Sequence, residues 1–320
     1  MPLLSIIIVN WNSQDFVRQC LQSLENHVTV DCQTIVVDGA SYDGCEAMIT
    51  REFPTVEYVQ SSENLGFGRC NNLGVLHATG TYLLFLNPDT EVTPGAIETL
   101  LATAAGDAQI GLVGARLLNS DGTLQTSCVQ ALPTPLNQTI DSDILRRIFP
   151  QSRLWGNGRA FASEKPSVVE AVSGACMLVP RETFSRVGGF CPDYFMYAED
   201  MHLCWEISKL GKTIIYQPSA AIKHHGGGAS AGDFSKFSCM EMRRALHHFI
   251  SCRQGDFAGF RYRCGICSSA LIRLAALAAA SMFGTNACRS QNQISTNRWL
   301  TNLRWALRPS RSGKRNSQFA

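Results

Sequence analysis

The sequence predicts an α/β chain: a mostly parallel central sheet flanked by helices, with a helical extension at the carboxyl end. Three observations predict it. From residue 3 to about residue 105, short apolar runs alternate with segments whose apolar residues fall at helical spacing. The runs are continuously apolar rather than alternating, as in strands buried on both faces. Each run stops at polar or turn residues, which fits βαβ units with right-handed crossovers.

Taken in order, Leu3–Val9 is a buried strand ending at Asn10-Trp11-Asn12. Ser13 is placed to cap the next helix, whose apolar face is Phe16, Val17, Cys20, Leu21 and Leu24. Gln33–Val37 is a second strand and Asp38–Gly44 its turn. Val56–Val59 is a third. A loop, Glu63–Gly68, leads into a helix that runs through Leu76 and carries Asn71 and Asn72. Tyr82–Leu86 is a fourth strand, cut off at Asn87-Pro88-Asp89 because proline lacks the N–H that a ladder needs. Residues 112–170 are less regular. Gly122–Ser127 reads as a hairpin arm. The proline-punctuated stretch with Trp155–Gly158 reads either as a cleft wall or as a variable surface loop. Ala171–Pro180 is a further strand, and Arg181–Phe184 starts a helix closed by Gly188-Gly189. Glu199-Asp200 opens another helix that ends at Gly211. Thr213–Tyr216 is a strand followed by alternation to His224.

Composition is that of a folded domain, with 45% hydrophobic and 17% charged residues among 320. The net charge of +2 hides an asymmetry. Phe257–Ala320 contains ten Lys or Arg and no acid, so the earlier part is net acidic and the tail points to an anionic surface. The tail has few aromatics and no nucleic-acid module, which disfavours a nucleic-acid partner. Thirteen cysteines are scattered, and the one CxxC, Cys264–Cys267, has no second pair to complete a zinc site. Free thiols in a reducing cytosol are expected. The amino terminus lacks a basic n-region and runs straight into a strand, unlike a secretory leader.

The strand ends carry the chemistry. Ligands of open α/β sheets bind at the carboxyl ends of strands, where Asn10, Asp38, Asn87 and Asp89 are expected. No GxGxxG or P-loop is present, so a metal and a diphosphate remain as the way to hold a nucleotide. Asp89 is a hard oxygen ligand for Mg²⁺ or Mn²⁺. The competing reading of Asn87-Pro88-Asp89 is a plain turn, which those residues also favour. Glu199-Asp200 offers a general base, or simply acids suited to a helix N-terminus. His224-His225, followed by Gly226-Gly227-Gly228, offers an imidazole ligand in a loop that approaches something closely.

Together the segments SIIIVNWN, VVDGASYDG, ENLGFGRCNNLG, LLFLNPDTEV, DGTLQTS, VSGACMLVPRETFSRVGGF, YFMYAEDMHLCW and PSAAIKHHGGGAS resemble family 2 glycosyltransferases of the GT-A fold, in the rhamnosyltransferase-like bacterial branch. They span residues 5–230 in the family's order. The resemblance implies a GT-A catalytic domain over residues 1–235, with a nucleotide half to about 110 and an acceptor half from 111. Beyond the reach of the resemblance, residues 236–320 are expected to be a basic, helical extension, with membrane association one expectation for it. The resemblance implies an inverting transfer of a sugar, rhamnose among the candidates, from a nucleotide-diphospho-sugar donor to a saccharide or lipid-linked oligosaccharide, with a divalent metal, Mg or Mn. By position, Asp38 would contact the nucleobase, and Asn10, Asn64, Gly66, Asn71 and Asn87 would line the donor pocket. Asp89 and His224 would hold the metal, with His225 the second choice. Asp200 would be the catalytic base, with Glu199 beside it. The sequence departs from the family at His202, Glu206 and Cys191, where Asp, Arg and Asp are usual. Those departures keep a degenerate sugar-nucleotide-binding or scaffold protein as the alternative.

Gly265–Gly284 is nearly long enough to span a bilayer, which needs about 20 apolar residues, but Arg273 sits near its middle. An interfacial helix anchored by Trp299, Trp305 and the arginines is favoured over a packed helix or a full span. The expected location is cytoplasmic, at the inner face of the cell membrane.

Overall fold

The computed structural model describes residues 2–140, 163–226, 236–283 and 286–308, with isolated positions between 145 and 160. Trp155–Gly158, Gly227–Ser230 and the basic residues beyond 308 lie outside the described residues. The chain divides into two compact units. One comprises Met1–Leu132, Phe149–Phe195 and Glu199–Ala231. The other comprises Pro133–Ile148, Met196–Ala198 and Gly232–Ala320.

The first unit is built on one nine-stranded sheet. Its first half follows the expected βαβ pattern: β1 (Leu4–Asn10), α1 (Gln14–His27), β2 (Cys32–Asp38), α2 (Cys45–Glu52), β3 (Glu57–Gln60), α3 (Phe67–His77) and β4 (Tyr82–Leu86). All seven residues of β1 are buried, as its unbroken apolar run requires. Strands β1, β2, β3 and β4 are mutually parallel, in the order β3-β2-β1-β4. Asn10 and Asp38 are register partners, and Ile8 lies opposite Leu86. Their polar ends therefore share one edge.

The second half departs from a parallel sheet. After β5 (Thr90–Val92), α4 (Ala96–Gly106), β6 (Ile110–Leu118) and β7 (Val129–Gln130) comes a helix, α5 (Pro135–Ile140), that belongs to the other unit. The chain continues with β8 (Ser167–Val169), β9 (Ala171–Val172), β10 (Cys176–Pro180), α6 (Arg181–Arg186), α7 (Glu199–Lys209) and β11 (Thr213–His224). The run Ala171–Pro180 is thus two strands, not one. Short β9 pairs with β7 in a separate ribbon, while β10 runs antiparallel between β4 and β6. An apolar run buried on both faces reads the same in either direction, so the sequence could not show this. Strand β11 is a single strand of 12 residues, parallel to β6 and antiparallel to β5. Its register shifts between Gln217 and Ala221, where Pro218 cannot donate to the ladder.

Core packing fixes α6 and the following loop against β4. The rings of Phe85, Phe184 and Phe190 lie 4.9–5.6 Å apart. Asn72 clamps the backbone of Phe190 with both ends of its amide, Nδ2 to the carbonyl at 2.7 Å and Oδ1 from the N–H at 2.9 Å.

The second unit is helical: α5 packs on α9 (Asp256–Phe283), which packs with α8 (Lys236–Gln254) and α10 (Asn286–Leu307). Gly265 makes the α5 contact possible, since a Cβ there would sit 2.0 Å from Thr139 Oγ1. Trp305, expected as a membrane anchor, is instead 7% exposed. It is enclosed by Tyr262 and His247, with the Arg263 guanidinium 5.2 Å from its ring centroid. Arg273 likewise stacks on Trp299 at 4.3 Å.

Candidate active site

The loop after β2 is organised by buried polar groups. Asn10 Nδ2 donates to Asp38 Oδ2 at 2.6 Å, and both residues are fully buried. The Ser41 N–H and hydroxyl and Gln60 Nε2 complete the Asp38 carboxylate. Burial opposes the charge on Asp38, but these hydrogen bonds outweigh it and hold its pKa below the usual range. Asn10 and Asp38 therefore frame the loop rather than project free side chains. The expected Ser13 cap is replaced: Ser13 Oγ donates to the Trp11 carbonyl, and Asp43 Oδ2 accepts from the Gln14 N–H at 2.9 Å. An acid 29 positions away had no local signal.

Asn64 is exposed and accepts from the Gly66 N–H in an Asx turn at 3.0 Å. Gly66 has φ +80°, and a Cβ there would lie 1.9 Å from the Phe195 carbonyl oxygen, so the chain needs glycine. Asn71 is buried, with its amide on the Phe67 carbonyl of its own helix. It supports α3 from within.

The structure brings Asn87, Asp89 and His224 together. Thr90 pairs with His224 across β5 and β11. That register sets His224 Nε2 3.3 Å from Asp89 Oδ1 and 3.3 Å from Asn87 Nδ2. Asp89 is 8% exposed. One carboxylate from the turn between β4 and β5 and one imidazole from the end of β11 make a hard-oxygen and nitrogen donor pair that suits Mn²⁺ or Mg²⁺. His225 points elsewhere. Its Nε2 lies 2.6 Å from Glu91 Oε1 and its Nδ1 2.8 Å from Ser120 Oγ, so it serves as a strut.

The acids that open α7 are differently placed. The preceding Tyr197 and Ala198 adopt φ of +73° and +64°, uncommon for residues with a Cβ. Asp200 is partly exposed. Its Oδ2 accepts from the Gly174 N–H at 3.0 Å and Gln130 Nε2 at 3.3 Å, and its Oδ1 from the Met201 N–H. Glu199 is 6% exposed, and its Oε2 is buried without a hydrogen-bond partner among the described residues. Burial raises both carboxyls, and the Asp200 charge adds to the rise at Glu199, which is pushed up to about 8. Three donors favour ionised Asp200, so Glu199 is the one that keeps its proton. The segment Gly174–Ala175 joins the two clusters: the Gly174 N–H holds Asp200, and the Ala175 carbonyl accepts from the Asn87 N–H at 3.0 Å. Gln130 and Gly174, which hold Asp200, and Asn72, which holds Phe190, carry no mark in the sequence. Each works through a partner far along the chain.

Two of the departures, His202 and Glu206, form their own network. His202 Nε2 lies 3.8 Å from Glu206 Oε1, and Glu206 pairs with Lys209 at 2.8 Å. The His202 ring packs on Tyr194 and Trp205. The Asp200 contacts to Gly174, Gln130 and Met201 involve neither His202 nor Glu206.

A half-parallel sheet with polar strand ends, a carboxylate–imidazole corner and a pair of acids opening a helix fit the GT-A fold of glycosyltransferases. The chain matches glycosyl transferase family 2 over residues 5–186 and belongs to that family. It is 28% identical over 245 residues to N-acetylglucosaminyl-diphospho-decaprenol L-rhamnosyltransferase of Mycobacterium tuberculosis, covering 72% of this chain and 78% of that one. It is 26% identical to rhamnosyltransferase WbbL of Escherichia coli, covering 72% and 86%. Its fold is similar to that of a mannosyltransferase of Pyrobaculum calidifontis solved with GDP-Man and Mn²⁺. That likeness has a TM-score of 0.60 at 18% identity and covers 95% of this chain and 86% of that one.

Proposed function

We propose that this enzyme transfers a sugar, rhamnose by its relationships, from a nucleotide-diphosphate donor to a hydroxyl of a lipid-linked precursor of a cell-surface polysaccharide, with inversion. The observation that carries the reading is the juxtaposition through Gly174–Ala175. It ties the Asn87–Asp89–His224 corner to the Asp200 carboxylate. Asp89 and His224 would hold a divalent cation, which supplies positive charge where the leaving diphosphate develops its own. Asp200 takes the proton of the attacking hydroxyl, and its bonds to Gly174 and Met201 keep it ionised and aimed. Among the described residues Asp89 is the carboxylate of the corner itself, and its proposed use on the cation suits a single displacement. Asn10 and Asp38 would shape the loop that meets the nucleobase, with Asn64 and Gly66 on a neighbouring turn.

Asp89→Ala should abolish metal-dependent binding of nucleotide-diphospho-sugars, tested by thermal stabilisation across a donor panel with Mn²⁺ and Mg²⁺. Retained metal-dependent binding would place the donor elsewhere.

The acceptor reading extends to location. The stretch Asp256–Ala280 of α9 is long and apolar enough to cross a membrane, yet only 17% of its most apolar window is buried. Phe257, Phe260, Leu271 and Ile272 are 54–72% exposed on it. That face, in a basic segment, supports peripheral contact with an anionic membrane on the cytoplasmic side.

A further inference from the structure

The side chain behind His224 has a direction of its own. Nδ1 of His224 lies 2.6 Å from Gln125 Oε1, and Gln125 lies 99 positions earlier, in the turn after β6. Gln125 Nε2 in turn points at Asn119 Oδ1, 3.1 Å away, and at the His224 carbonyl, 3.4 Å away. Asn119 Nδ2 donates to Thr123 Oγ1 at 2.9 Å, and the Thr123 hydroxyl donates to Asp121 Oδ1 at 2.6 Å. The Thr123 N–H also donates to that oxygen, and these bonds hold the Asp121 pKa below the usual carboxylate range.

The sense of this chain follows from what each group can do. An ionised carboxylate only accepts. Thr123 must give Asp121 its one proton, so its oxygen accepts from Asn119. The Asn119 oxygen is left for Gln125, which turns its NH₂ toward it and toward a backbone carbonyl that also only accepts. The Gln125 oxygen then faces His224, and Nδ1 must carry the hydrogen. In the neutral ring the lone pair is on Nε2, the nitrogen beside Asp89. The reverse tautomer would set a lone pair against the Gln125 oxygen.

We propose that Gln125, held by Asn119, Thr123 and Asp121, is the positioning residue that fixes His224 in its Nδ1–H form and presents Nε2 with Asp89 to a divalent cation. The inference rests on the metal corner proposed above and adds the group that orients one of its ligands. Outer partners of this kind typically change metal affinity about 10–100-fold when removed. Gln125→Leu keeps the bulk and removes the acceptor. Gln125→Glu keeps an oxygen able to accept from Nδ1–H.

The test measures Mn²⁺ alone, bound to the full chain, from the free-ion electron paramagnetic resonance signal. The chains compared are wild type, Gln125→Leu, Gln125→Glu, His224→Ala and Asp89→Ala. Long-range ¹⁵N–¹H spectra of histidine-labelled, metal-free wild type, assigned with His224→Ala, read the tautomer without any change at Gln125. The expected result is an Nδ1–H ring, Gln125→Leu weaker by about 10-fold or more, and Gln125→Glu close to wild type. An Nε2–H ring overturns the proposal. So does wild-type affinity in a folded Gln125→Leu when His224→Ala has lost it, and in that case the metal corner stands. If His224→Ala and Asp89→Ala both bind Mn²⁺ like wild type, the corner itself is wrong and the proposal falls with it.

Discussion

At Glu199 the buried Oε2 has no hydrogen-bond partner among the described residues, while its neighbour Asp200 keeps three donors. This splits two adjacent acids into a neutral one and an ionised one. It also fixes a pH dependence. The Glu199 carboxyl moves from 4.5 to about 8 on folding. A raised pKa means that the folded chain prefers the protonated form. Stability from this group is therefore complete below the unfolded value and is lost as pH rises through the folded one. Glu199→Gln, neutral throughout, should unfold at higher urea than wild type, with a gap that grows between about pH 5 and about pH 8. The growth should be on the order of 1 kcal/mol per pH unit. Urea midpoints that move in parallel would mean that Glu199 is ionised in the fold. At this scale Asn10, Asp38 and His224 were legible because each ends a strand, and Asp89 because it stands in the turn that cuts one off. Asn72, Gln125 and Gln130 were not, because their partners lie 118, 99 and 70 positions away and no local pattern marks them.

Among the elements, those of the first half announced themselves through buried runs and helical spacing. The antiparallel β10 did not, since pairing direction leaves no trace in a run buried on both faces. Gly114 of β6 is likewise explained only in three dimensions: a Cβ there would meet Val172 of β9 at 2.5 Å. The loop before α7 is positioned by Phe190, which is fully buried against Phe85 and Phe184 and held by Asn72. Phe190→Ala should cost about 3–5 kcal/mol, measured by denaturant unfolding. A loss below about 1 kcal/mol, small for an aromatic core deletion, would mean that the aromatic cluster does not anchor the segment.

On the scale of the whole molecule, charge and apolar surface divide unevenly along the chain. The acidic part forms the sheet with the site, and the last 64 residues carry ten Lys or Arg and no acid. The composition foretold that asymmetry but misplaced the anchors. Trp305 went into the interior, and Phe257, Phe260, Leu271 and Ile272 hold the surface instead. Vesicles containing anionic phospholipid should therefore co-sediment the protein at low salt. Binding should weaken as salt rises from about 0.05 M to about 0.5 M, where the Debye length shrinks severalfold. Serine at the four exposed positions should weaken it at every salt concentration. Equal partition to neutral vesicles, or none to either, would remove the membrane from the account.

If Asp200 deprotonates the acceptor at a site whose donor is bound independently, then release of nucleoside diphosphate should separate wild type from Asp200→Asn. It is read from a panel of nucleotide-diphospho-sugars in membranes supplying the lipid-linked acceptor. Wild type should turn over in a cation-dependent way. The variant should fall by about 10²–10⁴-fold, typical of a lost general base, with donor binding unchanged. Equal turnover by the two proteins, or none by wild type with any donor, would contradict that role of Asp200.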